Sequence, residues 1–235
     1  MQKTVFITGA DRGLGLSLVR RFLRGGFHVF AGTYSSGENL KRIAEESLAK
    51  LTQIGLDVTD LTSVQCAAQA VAEQTSSLDI LINNAAVHLE KPVKPLEELD
   101  FGSLFLQGTM NVNAFGPLYV TQQFLPLLNQ AERKLIVNIS SEAGSITDCK
   151  RSAEYAYCMS KSALNMASKI LQNYLKPRGF KVLAIQPGWM RTDMGGMDAD
   201  FHPDEVAEDI FQLLMKPWHP DDQIFMDRLG NSLPW

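Results

Sequence analysis

An α/β fold, one doubly wound domain around a mostly parallel sheet of about seven strands, is what this 235-residue sequence predicts. Three observations carry the prediction. Short runs of near-continuous hydrophobicity alternate with longer amphipathic stretches, the pattern of strands buried on both faces beneath layers of helix. A glycine-rich turn, Gly9-Ala10-Asp11-Arg12-Gly13-Leu14-Gly15, joins the first apolar run to the first amphipathic stretch. No linker, internal repeat or low-complexity segment interrupts the alternation, so residues 1–235 read as one domain.

Taken in order, the first strand is expected over 3–8, where Thr4-Val5-Phe6-Ile7-Thr8 is β-branched and aromatic. A helix follows over 13–25, with Leu14, Leu18, Val19, Phe22 and Leu23 at helical spacing. Further strands are expected over 27–32, 51–56, 78–82, 134–139 and 180–186, with a last one near 223–226. The intervening helical patterns cover 38–49, 60–75, 103–129, 155–176 and 203–215. Segments 141–153 and 195–198 read as loops at strand ends, where ligands bind in open α/β sheets.

Composition narrows the function classes. A net charge of -4 argues against a general nucleic-acid binder. No apolar run approaches the ~20 residues that span a bilayer, and the fold begins so early that no signal peptide is expected. Three cysteines without metal-ligand spacing and four scattered histidines suggest a reduced, cytoplasmic protein with no metal site.

Two features point to chemistry. Strand, glycine turn and helix in that order make a phosphate site, because backbone N–H groups and a helix N-terminus converge on the anion. The spacing here is Gly-x-x-x-Gly-x-Gly, and a plain strand-to-helix turn is the bland alternative. The second feature is Tyr157 with Lys161, four residues apart and so on one helix face. An adjacent ammonium favours the phenolate and lowers a pKa that is otherwise ~10. That is the adjustment an acid or base acting on an alcohol oxygen needs.

Other polar groups fall at strand ends: Asp57-Val58, Asn83-Asn84-Ala85, Asn138-Ile139-Ser140-Ser141 and Pro187-Gly188-Trp189-Met190-Arg191-Thr192, with Asn113 inside the long helical stretch. Together with the glycine turn and Tyr157/Lys161, the chain resembles the short-chain dehydrogenase/reductase family over nearly its whole length. It is most similar to the sniffer-like carbonyl reductase and C-factor branch, through Gly9 to Leu16, Tyr155 to Asn165, Thr192 to Gly196 and the terminal Leu233-Pro234-Trp235.

The resemblance implies a Rossmann-type dinucleotide-binding and catalytic domain that moves a hydride between NADP(H) and a small carbonyl or alcohol. It implies Tyr157 as general acid in reduction and base in oxidation, with Lys161 lowering its pKa and holding the nicotinamide ribose. Ser141 would hydrogen-bond the substrate carbonyl, and Asn113 would stabilise a helix bend and a proton-relay water. Thr8, Gly9, Gly13, Leu14 and Gly15 would line the pyrophosphate; Asp57, Val58, Asn83 and Ala85 the adenosine half. Met190 and Thr192 would contact the nicotinamide side, and Pro187 and Gly188 would also bind the cofactor. A homodimer or homotetramer, paired through 103–129 and 155–176, is also implied.

Three departures stand out. Ala86 replaces a usual glycine, and Ser141 lies further before Tyr157 than in many members, as in the sniffer-like branch. The expected second strand ends without the acid that binds a ribose 2′-OH. Arg12 remains to pair with a 2′-phosphate, helped by Thr33 or Ser35, so NADP is expected over NAD. The competing reading is a dinucleotide-binding sensor or signalling protein without catalysis, since fold does not fix function. Ser140, Tyr155 and Cys158 are read as structural or pocket residues.

Overall fold

The sequence alternation becomes a seven-stranded, wholly parallel sheet in the computed structural model, which describes residues 2–35, 37–46, 50–101 and 105–235. The strands are β1 (Thr4–Thr8), β2 (His28–Thr33), β3 (Leu51–Gly55), β4 (Ile80–Asn83), β5 (Leu135–Ile139), β6 (Lys181–Gln186) and β7 (Phe225–Asp227). Their order is β3-β2-β1-β4-β5-β6-β7. The chain winds outward from β1 in one direction through β2 and β3, then returns to start the other half at β4. The crevice at the carboxyl ends of β1 and β4 is therefore the switch point at which such sheets take ligands.

Alternation along β1 explains why the run is apolar throughout. Val5 and Ile7 face a core shared with α1 (Gly13–Arg24) and α7 (Pro203–Met215). Phe6 faces the opposite core, shared with α3 (Leu61–Ala72) and α5 (Gly116–Asn129), where its ring meets Phe124 at 4.3 Å. The remaining helices are α2 (Glu38–Glu46), α4 (Phe105–Met110) and α6 (Tyr155–Leu175). Residues 47–49 and 103–104 of the expected helical stretches lie outside the described residues.

One expected element differs in kind. The stretch read as a single helix over 103–129 has a π-helical turn, Asn111–Phe115, between α4 and α5. Pro117 has no N–H to offer the Asn113 carbonyl four residues earlier, and Gly116 N–H bonds Asn111 O, five residues back. A π-turn of this sort commonly marks a functional site, and it is where Asn113 lies.

Candidate active site

The glycine turn forms the floor of the crevice. Gly9 and Gly13 have φ of 62° and 51°, the left-handed region that glycine enters at little cost. Gly15 is excluded from change by space: a Cβ there would lie 2.0 Å from the Gly9 carbonyl oxygen. Arg12 precedes α1 without a side-chain cap, and no acid occupies the first turn. The first N–H groups of α1 are thus left to an anion. The residues present fit a dinucleotide pyrophosphate, in a cradle that any side chain would fill. The Leu14 side chain is buried in the core, which leaves only its backbone for a ligand.

Three of the residues expected at the cofactor turn their side chains into the protein. The Thr8 side chain is buried beneath the turn, where its hydroxyl accepts the N–H groups of Asn84 (3.0 Å) and Ala85 (2.9 Å). Thr33 is buried too, and its hydroxyl accepts from Gln53 at 3.3 Å, so only Ser35 of the pair stands at the surface. Asn83 pairs in register with Asn138, and its amide donates inward to Asn138 Oδ1 (2.8 Å) and Thr121 Oγ1 (3.2 Å). The parallel register turned these side chains into the protein. Asn84, one residue on, has the role sequence reading missed: its amide donates to the carbonyls of Thr8 (2.9 Å) and Gly9 (3.0 Å) and fixes the turn's shape.

Ala85 lies against Gly9, and Val58 is packed below α5. Asp57 Oδ1 accepts from the Thr59 N–H and hydroxyl, closing a turn after β3. Arg12 is 72% exposed and its Nε lies 3.9 Å from Asp193 across the crevice. Asp11 Oδ2 accepts from Ser35 Oγ at 2.6 Å. A carboxylate therefore does stand at the end of β2, delivered by the glycine turn and not by the strand.

The candidate reacting groups come from α6 and the segment after β5. Lys161 is 2% exposed, donates to the Ile139 carbonyl at 2.9 Å, and has its Nζ 5.7 Å from the centre of the Tyr157 ring. Burial pushes its ammonium down to about 8. Burial also pushes the Tyr157 phenol up to about 12, opposed by a hydrogen bond with Ser141. The direction is opposite to the expected depression: desolvation of the phenolate is the largest influence on it. The phenol therefore keeps its proton throughout the neutral range.

Ser141 is buried and caps the 3₁₀ turn Glu142–Gly144, accepting the Ala143 N–H at 3.1 Å. Its hydroxyl donates to Glu142 Oε2 at 2.7 Å, an acceptor the sequence reading did not foresee. Arg151 bridges Glu142 to Glu154. Asn113 binds Val87 through both atoms of its amide, accepting at 2.8 Å and donating at 2.9 Å, and donates also to Ser160 at 3.0 Å. The helix bend is thus held by its side chain. Ser140 bonds Asn165 at 2.6 Å, in keeping with a structural reading.

The loop after β6 closes the crevice. Gly188 has φ of 93°, and a Cβ at Gly13 would meet Thr192 Cγ2 at 3.3 Å. Thr192 Oγ1 accepts the Gly195 N–H at 3.2 Å, and Met190 bridges Phe201. Pro187 starts this loop directly after β6, and of Pro187, Gly188, Met190 and Thr192 it is Thr192 that lies beside the glycine turn.

Residues 3–201 match the family described as short chain dehydrogenase. The chain belongs to the short-chain dehydrogenase family. A C-signal protein of Myxococcus xanthus is 35% identical over 163 residues, covering 68% of this chain and 95% of that protein. An uncharacterized oxidoreductase of Schizosaccharomyces pombe is 36% identical over 209 residues, covering 88% and 81%. Among solved structures, the carbonyl reductase Sniffer of D. melanogaster superposes with a TM-score of 0.91 at 27% identity, covering both chains fully. NADPH-bound carbonyl reductase from chicken fatty liver gives 0.90 at 29%, covering 100% of this chain and 94% of that one. As a short-chain dehydrogenase, the chain is an oxidoreductase with a Rossmann-like domain. Among the described residues, no helix is long and apolar enough to cross a membrane.

Proposed function

We propose that this short-chain dehydrogenase is an NADP(H)-dependent carbonyl reductase, able to run as an alcohol dehydrogenase in reverse. The observation that carries the reading is the convergence of Ser141, Tyr157 and Lys161 at the carboxyl ends of β5 and α6's first turns, beside a glycine turn shaped for pyrophosphate. The NADPH-bound carbonyl reductase it resembles over its whole length supports the cofactor.

When bound, the nicotinamide supplies the hydride for the carbonyl carbon. Tyr157 gives its proton to the carbonyl oxygen, completing the alcohol, and in oxidation takes one back. Ser141 supports that oxygen by turning its O–H from Glu142 toward the substrate, a polarising hydrogen bond. Lys161 holds positive charge beneath the phenol and would bond the nicotinamide ribose. Gly9, Gly13, Gly15 and the free end of α1 hold the pyrophosphate; Asp57, Val58 and Ala85 line the adenosine half. Turnover of a carbonyl panel with NADPH tests the whole. If NADPH binds and every carbonyl is inert, the chain is a dinucleotide sensor instead.

NADP should bind more tightly than NAD, with Arg12 gripping the 2′-phosphate beside Ser35. Arg12→Ala should weaken NADP by about 10- to 100-fold, the range for a charged hydrogen bond, and leave NAD unchanged. Calorimetric titration of both cofactors decides it. Tighter NAD binding by the wild type would place Asp11 on the ribose 2′-OH.

Association through α5 and α6 is the assembly this reading favours. Val120, Phe124 and Leu164 of these helices are buried in the core. Phe115 and Tyr174 are exposed, as are Met166 and Ile170, which line an apolar groove with Leu118, Ala163, Ala167 and Leu171. A homodimer or homotetramer should appear in light scattering, and Met166→Lys with Ile170→Lys should convert it to monomer. A wild type that is monomeric at all concentrations removes this assembly.

A further inference from the structure

We propose that Glu90 is the positioning residue of the catalytic helix, setting Tyr157 by capping α6 from the loop after β4. The inference rests on Tyr157 being the acid. Helix α6 begins two residues before Tyr157, and its own cap is missing: Glu154 is in the left-handed region at φ 65° and makes no side-chain cap. The first N–H groups of a helix need outside acceptors. Here both come from one carboxylate. Glu90 Oε1 accepts the Tyr155 N–H at 3.1 Å, and Oε2 accepts the Ala156 N–H at 2.8 Å. Glu90 is only 4% exposed, so this is a buried anion on the positive end of a 21-residue helix.

The same short segment reaches the tyrosine a second way. The His88 ring lies 4.7 Å from the Tyr157 ring, tilted by 33°. Val87 is bonded on both backbone groups by Asn113, and Lys91 Nζ donates to the Met194 carbonyl at 2.5 Å. Residues 87–91 are therefore anchored at both ends, and Glu90 transmits that anchorage to the turn carrying Tyr157. A phenol displaced by about 1 Å loses on the order of 10²-fold in rate.

Glu90→Ala should lower kcat by roughly 30- to 100-fold, with substrate KM and NADPH Kd within about twofold. The solvent isotope effect on kcat should rise, because proton transfer becomes the slow step. Glu90→Gln keeps one acceptor oxygen and should lose roughly 3- to 10-fold, and it carries the test if the alanine variant does not fold. In both, the Tyr155 and Ala156 amides should exchange faster with solvent, and a crystal structure should show the Tyr157 hydroxyl displaced. Unchanged kcat with faster amide exchange would reduce Glu90 to a stabilising cap and overturn the proposal. Unchanged amides and an unmoved tyrosine would overturn it whatever the activity. A wild type that reduces no carbonyl defeats the reading of the site, while the amide and crystallographic results still decide what Glu90 positions.

Discussion

Tyr157→Phe is expected to lower carbonyl-reducing turnover by roughly 10²–10⁴-fold, the usual worth of a positioned general acid. NADPH affinity should stay within about twofold. The substitution removes one oxygen and keeps the ring that lies against His88, so the geometry of α6 survives and only the proton is lost. With burial holding the phenol up at about 12, wild-type Tyr157 remains a loaded donor well above neutral pH. A transient-state assay with NADPH and an active carbonyl measures the loss, and fluorescence titration measures the cofactor. Tyr155→Phe is the control. Its backbone N–H, not its hydroxyl, is what the site uses, so it should change turnover less than about threefold against the scale above. An inactive Tyr155 variant beside an active Tyr157 variant would reverse the assignment.

The sequence disclosed the sheet because its strands are buried on both faces and read as unbroken apolar runs. Expected and observed strands agree to within two residues: 3–8 against Thr4–Thr8, 78–82 against Ile80–Asn83, 223–226 against Phe225–Asp227. The glycine turn was legible for a local reason, since left-handed φ and close backbone contact both demand glycine. Tyr157 and Lys161 were legible as a pair one helical turn apart. What escaped depends on contacts distant in sequence. Glu90 looks like any loop acid until it is found on α6, 65 residues away from Tyr155. Asn83 and Asn84 are the same residue type side by side, and only the register with β5 shows that the first faces inward. The π-turn had a signal in Pro117, but helical periodicity alone runs straight through it. Spacing reveals an ammonium near Tyr157 and not the depth at which both groups lie, so the direction of its shift is not legible in the sequence.

Lys161→Met should abolish useful turnover and at the same time stabilise the protein. The wild-type ammonium is buried at 2% exposure, and the Ile139 carbonyl is the hydrogen-bond acceptor the structure gives it. Its folded pKa of about 8, against 10.5 for the free side chain, means that the unfolded chain binds this proton more tightly. At 1.36 kcal/mol per unit, the buried charge costs about 3 kcal/mol. The cost is present in full below pH 8 and is relieved as pH rises from 8 toward 10.5, because there the unfolded state holds a proton that the folded state has released. Methionine fills the same volume without the charge, so Tm at pH 7 should rise by roughly 6–12 °C, and the difference from wild type should shrink above pH 8. Activity should move the other way. On the proposed reading, loss of the ammonium removes the charge that would support a developing phenolate and the donor to the nicotinamide ribose, so both kcat and NADPH affinity should fall. For the same reason the wild-type rate of reduction should decline as pH passes about 8, where Lys161 gives up its proton, and not near 12, where Tyr157 does. Calorimetric scans and rate profiles across pH 6–11 test the two halves together. A Lys161→Met variant no more stable than wild type, with a wild-type rate flat through pH 8, would show that the cation is compensated in the folded protein and that the alkaline limit belongs to the tyrosine.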